Sequence, residues 1–181
     1  MFGWDPRLGA RDNRLPEECI WFERLSFLYG YRGINDGLPG RKIPVGHAVP
    51  GFLHAVSGQE WQVLFLMLGT NDLLDSGFRS PDRIGQRWDA ALAALLERFP
   101  ERKDRIVLAT CPYAPVFPGD LTEEIRRGYR VMAEKYGVSF FDALDPLPAL
   151  YDGIHLSEEG HRILAERAAA FLSRFRTGED S

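Results

Sequence analysis

The chain has 181 residues, of which 45% are hydrophobic and 27% charged, and a formal net charge of -4 at pH 7. Such a length buries a full core in one domain, and such a composition excludes a disordered or fibrous chain. The negative balance, with no basic face among the Lys and Arg positions, argues against nucleic acid, and no stretch reaches the ~20 apolar residues of a membrane span.

In chain order, residues 16–28 are expected to be helical. Pro16 suits a first turn, Trp21, Leu25 and Leu28 share a face, and Gly30 ends the helix. Tyr31 to Asn35 is a short strand candidate, Gly37-Leu38-Pro39-Gly40 is a turn, and a short helix covers Pro50 to Val56. The run 62–68 is apolar on both faces, as in a parallel strand covered on both sides. Ser80-Pro81-Asp82 reads as a helix start with the serine as cap, followed by Ile84, Trp88, Leu92 and Leu95 at helical spacing down to Phe99.

Arg105 to Thr110 is the next strand, and Pro112 to Gly119 an irregular loop. Asp120 with Glu123 forms a capping box for a helix that runs to Tyr136 and stops at Gly137. Arg126, Arg127 and Arg130 cluster on that helix as a solvated face. Val138 to Phe141 is the last strand. Ser157 then caps a helix to about Phe175, with Leu164, Ala168, Phe171 and Phe175 facing inward. The alternation of strand and helix predicts an α/β three-layer α/β/α sandwich on a parallel, flavodoxin-like sheet, with loops gathered at the strands' carboxyl ends. Residues 1–175 form the single expected domain, with 176–181 a disordered tail.

Cys19 and Cys111 match no metal or redox spacing, and the start of the chain has no signal-peptide pattern, so a reducing, cytoplasmic setting is expected. Neither a Walker loop nor a Gly-x-Gly-x-x-Gly run occurs.

Two segments carry the chemistry. Gly69-Thr70-Asn71-Asp72 follows an apolar strand, and Asp152-Gly153-Ile154-His155 precedes a helix. A histidine oriented by a carboxylate three residues upstream can act as general base and then as general acid, because imidazole titrates near neutrality. The Asn71 amide can donate to a developing oxyanion, and Gly40 offers a backbone N–H with no side chain in the way. The blander readings are Asp152 as a helix-entry carboxylate with a surface His155, Asn71 and Asp72 as turn formers, and Gly40 as a plain turn glycine.

The chain resembles the SGNH (GDSL-type) hydrolases. Gly69-Thr70-Asn71-Asp72 resembles that family's oxyanion-asparagine block. Asp152-Gly153-Ile154-His155-Leu156-Ser157-Glu158-Glu159-Gly160-His161 resembles its Asp-x-x-His block, and Asn35-Asp36-Gly37-Leu38-Pro39-Gly40-Arg41 its second block. The resemblance implies an esterase or lipase-like acyl hydrolase acting on a small-molecule ester, with His155 and Asp152 catalytic and Asn71 and Gly40 in the oxyanion hole. It implies no cofactor, no metal and no membrane or nucleic-acid partner, and leaves a homo-oligomer open.

The family's Gly-Asp-Ser block does not occur in these residues. Phe2-Gly3-Trp4-Asp5-Pro6 resembles the continuation of that block, which sets the expected nucleophile just upstream of Met1, at the end of a first strand that is likewise missing. Removing that inner strand would cost four or five buried apolar side chains at ~1.5–3 kcal/mol each, comparable to the stability of a typical domain. A longer native chain is therefore expected. The alternative is a catalytically inactive binding or scaffolding descendant of the fold.

Ser157 reads as a cap, and Ser26, Ser57, Ser76 and Ser80 lie in no nucleophile-like context. Cys111 follows a strand but reads as a buried structural thiol. His155, His161 and Asp152 fit no standard metal spacing, and His47 and His54 carry no signal. Trp4, Trp21, Trp61 and Trp88 are core or pocket-rim aromatics.

Overall fold

The computed structural model describes residues 15–119, 121–150 and 152–176. These fall into two units, one comprising Lys42–Pro112 and Phe117–Leu144, the other the chain up to Arg41, Tyr113–Val116 and the chain from Asp145.

In the first unit, three short apolar runs form a parallel sheet in the order β1 (Leu64–Met67), β2 (Ile106–Ala109), β3 (Ser139–Phe141). Leu64 pairs with Ile106 and Val107 with Ser139, which fixes the register. All of β2 is buried, as expected of a central strand whose residues are apolar on both faces. In β1 only Leu66 is fully buried, and among the described residues β1 pairs with β2 alone. Tyr31–Asn35 forms no strand. Its Gly33 lies under the Phe22 ring, in a segment that follows the end of a helix without a ladder.

Helix α2 (Ala48–Ser57) precedes the sheet. After β1 come α3 (Thr70–Asp75), the 3-10 turns Pro81–Arg83 and Gly85–Trp88, and α4 (Asp89–Arg98), where one helix from Ser80 was expected. Ser80 does not cap: its φ of 52° is left-handed, and its side chain accepts no backbone N–H. The inward stripe nevertheless holds, with Ile84, Trp88, Leu92 and Leu95 all buried. Helix α5 (Leu121–Tyr136) connects β2 to β3 and stops at Gly137, as expected; Asp120 lies outside the described residues.

In the second unit, α1 (Trp21–Tyr29) packs on α6 (Glu158–Leu172), and Trp21, Leu25, Leu164 and Ala168 are buried. Leu28 shares the α1 stripe but stands in the last turn and is 61% exposed, so the buried stripe ends before the helix does. Phe171 and Phe175 are half-exposed, contrary to the expected inward face, and the Arg174 guanidinium lies 3.8 Å from the Phe171 ring centroid. Leu172 takes the buried position instead.

Ser157 caps α6, its hydroxyl accepting from the Gly160 N–H at 3.2 Å. At the start of α1 the Trp21 N–H donates to Nδ1 of the buried His161 at 3.3 Å, which satisfies one of the helix's open donors. Burial pushes the His161 pKa down to about 3, with the Arg24 charge adding to it, so the ring is neutral at pH 7. The segments 1–14 and 177–181, which hold the Phe2–Pro6 motif and the expected tail, lie outside the described residues. No described helix is long and apolar enough to cross a membrane.

Candidate active site

The turn before α6 is built around Asp152. Its Oδ1 accepts the backbone N–H groups of Ile154 at 2.9 Å and His155 at 3.0 Å. Its Oδ2 stands 2.7 Å from Nδ1 of the His155 ring. Leu150 N–H donates to the His155 carbonyl at 2.7 Å, Gly153 N–H to the Leu150 carbonyl, and Ala149 bridges Leu156 in antiparallel fashion. The backbone on both sides of the imidazole is therefore held, and buried Leu156 anchors the turn below it.

Burial alone would raise the Asp152 pKa. The two backbone N–H groups and the His155 ring outweigh it and hold the carboxyl below its ordinary value. An anionic Oδ2 fixes the proton on Nδ1 and leaves Nε2 as the basic nitrogen. The His155 and Asp152 side chains are 33% and 20% exposed, so the ring is reachable while the carboxylate is mostly covered. The loop after β2 touches the same turn: Val116 N–H donates to the Gly153 carbonyl at 3.1 Å.

Gly40 sits in a tight turn in which Arg41 N–H donates to the Leu38 carbonyl at 3.1 Å. Its φ of 72° is the left-handed value that the third position of such a turn demands, and a Cβ placed there would meet nothing within 4 Å. Among the described residues the Gly40 N–H donates to nothing. Asp36 accepts from Arg41 across the turn, and the Asn35 side chain from the Gly37 N–H at 3.1 Å.

Asn71 lies in the first turn of α3, directly beyond β1. The chain turns there at Gly69, whose φ is 128° and whose missing Cβ would stand 2.1 Å from the Tyr129 hydroxyl. That hydroxyl donates to the Leu68 carbonyl and so pins the strand end. Burial pushes the Tyr129 pKa well above its ordinary value, which keeps the group a donor. Asp72 is not a surface turn former: its side chain is 1% exposed, with Arg87 Nε 2.8 Å from Oδ1 and the Ile43 N–H donating to Oδ2 at 3.1 Å.

Tyr129 and Arg87 carry no signal in the sequence that links them to the Gly69–Asp72 block. Their partners lie 61 and 15 residues away, and only the fold brings them there. Cys111 is fully buried and its thiol is pushed up to about 12 by that burial, which leaves it protonated and unsuited to attack. Among the described residues no group of three or more His, Cys, Asp or Glu side chains is placed to hold a metal.

A parallel α/β sheet with flanking helices and an Asp-x-x-His dyad at a helix entrance define an SGNH-type hydrolase fold. Solved structures agree. An inhibitor-bound aryl esterase from M. smegmatis superposes with a TM-score of 0.74 at 21% identity, over 97% of this chain and 94% of that one. Est24, a carbohydrate acetylesterase from Sinorhizobium meliloti, gives a TM-score of 0.75 at 22% identity, with the same coverage of 97% and 94%. Comparison with curated proteins finds no match. The chain belongs to the GDSL-like Lipase/Acylhydrolase family, which it matches over residues 3–163.

Proposed function

We propose that the protein hydrolyses small carboxylic esters by Ser-His-Asp chemistry. The observation that carries this reading is the Asp152 Oδ2 to His155 Nδ1 contact of 2.7 Å on a turn whose backbone is held on both sides. Family membership supports an acyl-hydrolase role. The names of the aryl esterase and carbohydrate acetylesterase it resembles point to small esters as the substrate class.

In this mechanism His155 Nε2 removes the proton of a serine hydroxyl as its oxygen attacks the ester carbonyl carbon. Asp152 holds Nδ1–H and stabilises the imidazolium that forms. The tetrahedral oxyanion is met by the Asn71 amide and the Gly40 N–H, each worth roughly 2.7–4 kcal/mol of transition-state stabilisation. The imidazolium then protonates the departing alcohol, the C–O bond to it breaks, and an acyl-serine remains. Water, deprotonated by His155, attacks that acyl group, and the carboxylic acid leaves as the serine regains its proton.

The nucleophile assigned to this role is the serine of a Gly-Asp-Ser block preceding Phe2-Gly3-Trp4-Asp5-Pro6, the segment that resembles the block's continuation. No organic cofactor or metal enters any step. To the loop from Pro112 to Gly119, tied to the dyad turn through Val116, this reading gives the shaping of the acyl or alcohol pocket.

The test is hydrolysis of p-nitrophenyl acetate by the full native gene product. His155→Ala and Asn71→Ala are expected to lower kcat by roughly 10²–10³ or more, with the fold unchanged by circular dichroism. A native protein inactive on short acyl, aryl and acetylated-sugar esters would favour the non-catalytic alternative.

A further inference from the structure

The buried polar side chains among the described residues are Asp72, Thr110 and His161. Thr110 Oγ1 accepts from the Ala143 N–H at 2.8 Å, and His161 Nδ1 from the Trp21 N–H. Each satisfies one backbone donor with a neutral group. Asp72 brings a carboxylate into the interior, where a charge is costly to hold unless it is paired and hydrogen-bonded. A turn would need no such group.

The carboxylate joins three pieces of chain. Asp72 follows Asn71 in the first turn of α3. Ile43, whose N–H it receives, is 2% exposed and lies three residues after Gly40. Arg87, an ion-pair partner whose Nε stands 2.8 Å from Oδ1 without the alignment of a hydrogen bond, belongs to the 3-10 turn Gly85–Trp88. Helix α3 has six residues, too few to hold its own geometry in water, so its orientation comes from tertiary contacts. Leu73, 1% exposed, supplies the apolar contact and Asp72 the directional one.

We infer that Asp72 is the positioning residue of the oxyanion donor: its carboxylate, clamped by the Ile43 N–H and Arg87, sets the orientation of helix α3 and therefore of the Asn71 amide. This rests on the ester-hydrolase reading. A donor displaced by about 1 Å from a developing charge can lower a rate by about 10²-fold, so a clamp of this kind is felt in catalysis as well as in folding. Asp72→Asn keeps an oxygen for the Ile43 N–H but turns an NH2 towards Arg87, which breaks the pair without opening a cavity.

The experiment is a double-mutant cycle on p-nitrophenyl acetate with the full native gene product, each kcat normalised to the fraction of sites titrated by a fluorophosphonate. Asp72→Asn is expected to lower kcat roughly 10–100-fold with KM within about twofold, and to change kcat less than about twofold in an Asn71→Ala background. Should Asp72→Asn fail to fold, Arg87→Gln, at a side chain 42% exposed, enters the same cycle with a smaller loss of the same pattern. Equal losses with and without Asn71, or unchanged kcat per titrated site with only a lower melting temperature, would overturn the positioning role while leaving the hydrolase reading intact. A wild-type protein that neither turns over nor is titrated would instead overturn the hydrolase reading, and the inference with it.

Discussion

Asp152 holds the His155 ring through Oδ2 at 2.7 Å and the backbone beneath that ring through Oδ1 at 3.0 Å, so one carboxylate sets both the tautomer and the position of the imidazole. The two oxygens do separate jobs, and they can be separated by mutation.

Asp152→Asn is expected to keep the turn, because the amide oxygen can still receive the Ile154 and His155 N–H groups. The amide nitrogen then faces Nδ1 and favours the tautomer with its proton on Nε2, which cannot act as a base. A fall of roughly 10³–10⁴ in kcat for p-nitrophenyl acetate, with little change in KM, is expected. Steady-state kinetics with circular dichroism measures it, and a loss of less than tenfold contradicts the assignment.

His161 makes stability depend on acid. Its native pKa of about 3 lies below that of an unfolded histidine, so the unfolded state binds the extra proton. Stability from this residue is complete above pH ~6.5 and declines by about 1.4 kcal/mol per pH unit as the pH falls towards 3. His161→Asn, with Oδ1 standing in for Nδ1 towards Trp21, is expected to start less stable at pH 7 but to show a flatter urea midpoint between pH 6 and 4. Asp152 acts lower: its depressed carboxyl contributes stability present above pH ~4 and lost as the pH falls through its native value.

Gly69→Ala meets two obstacles, a φ of 128° and the Tyr129 hydroxyl 2.1 Å from the new Cβ. A loss of more than about 2 kcal/mol is expected by chemical denaturation. Tyr129→Phe alone leaves the Leu68 carbonyl without that donor and costs about 1–3 kcal/mol. The double variant is expected to be more stable than the sum of the two losses predicts, because removing the hydroxyl removes the clash. Strictly additive losses would show that the hydroxyl does not contact position 69.

Much of this was legible in the sequence because it rests on local chemistry. Ser157 caps α6, Gly30 and Gly137 end their helices, and the apolar runs around Leu66 and Leu108 pair as parallel strands. The Asp152 and His155 pairing follows from a spacing of three in a turn. Other features depend on contacts that no window of sequence contains. Ser80 carries the residue type of a cap but lies in a left-handed conformation, and the proline after it opens a 3-10 turn. Leu28 keeps the period of a buried stripe where the covering partner has run out, and Tyr31–Asn35 has strand-forming residues but no ladder. Asp72 has the composition of a turn former and the burial of a core residue, a difference made by Arg87 and Ile43.

The most direct measurement is to label the native gene product with a fluorophosphonate and map the modified peptide. The account predicts one labelled serine, in a Gly-Asp-Ser sequence just upstream of Met1, with labelling abolished by His155→Ala. No labelling of the folded native protein, or labelling that persists without the His155 imidazole, would contradict it.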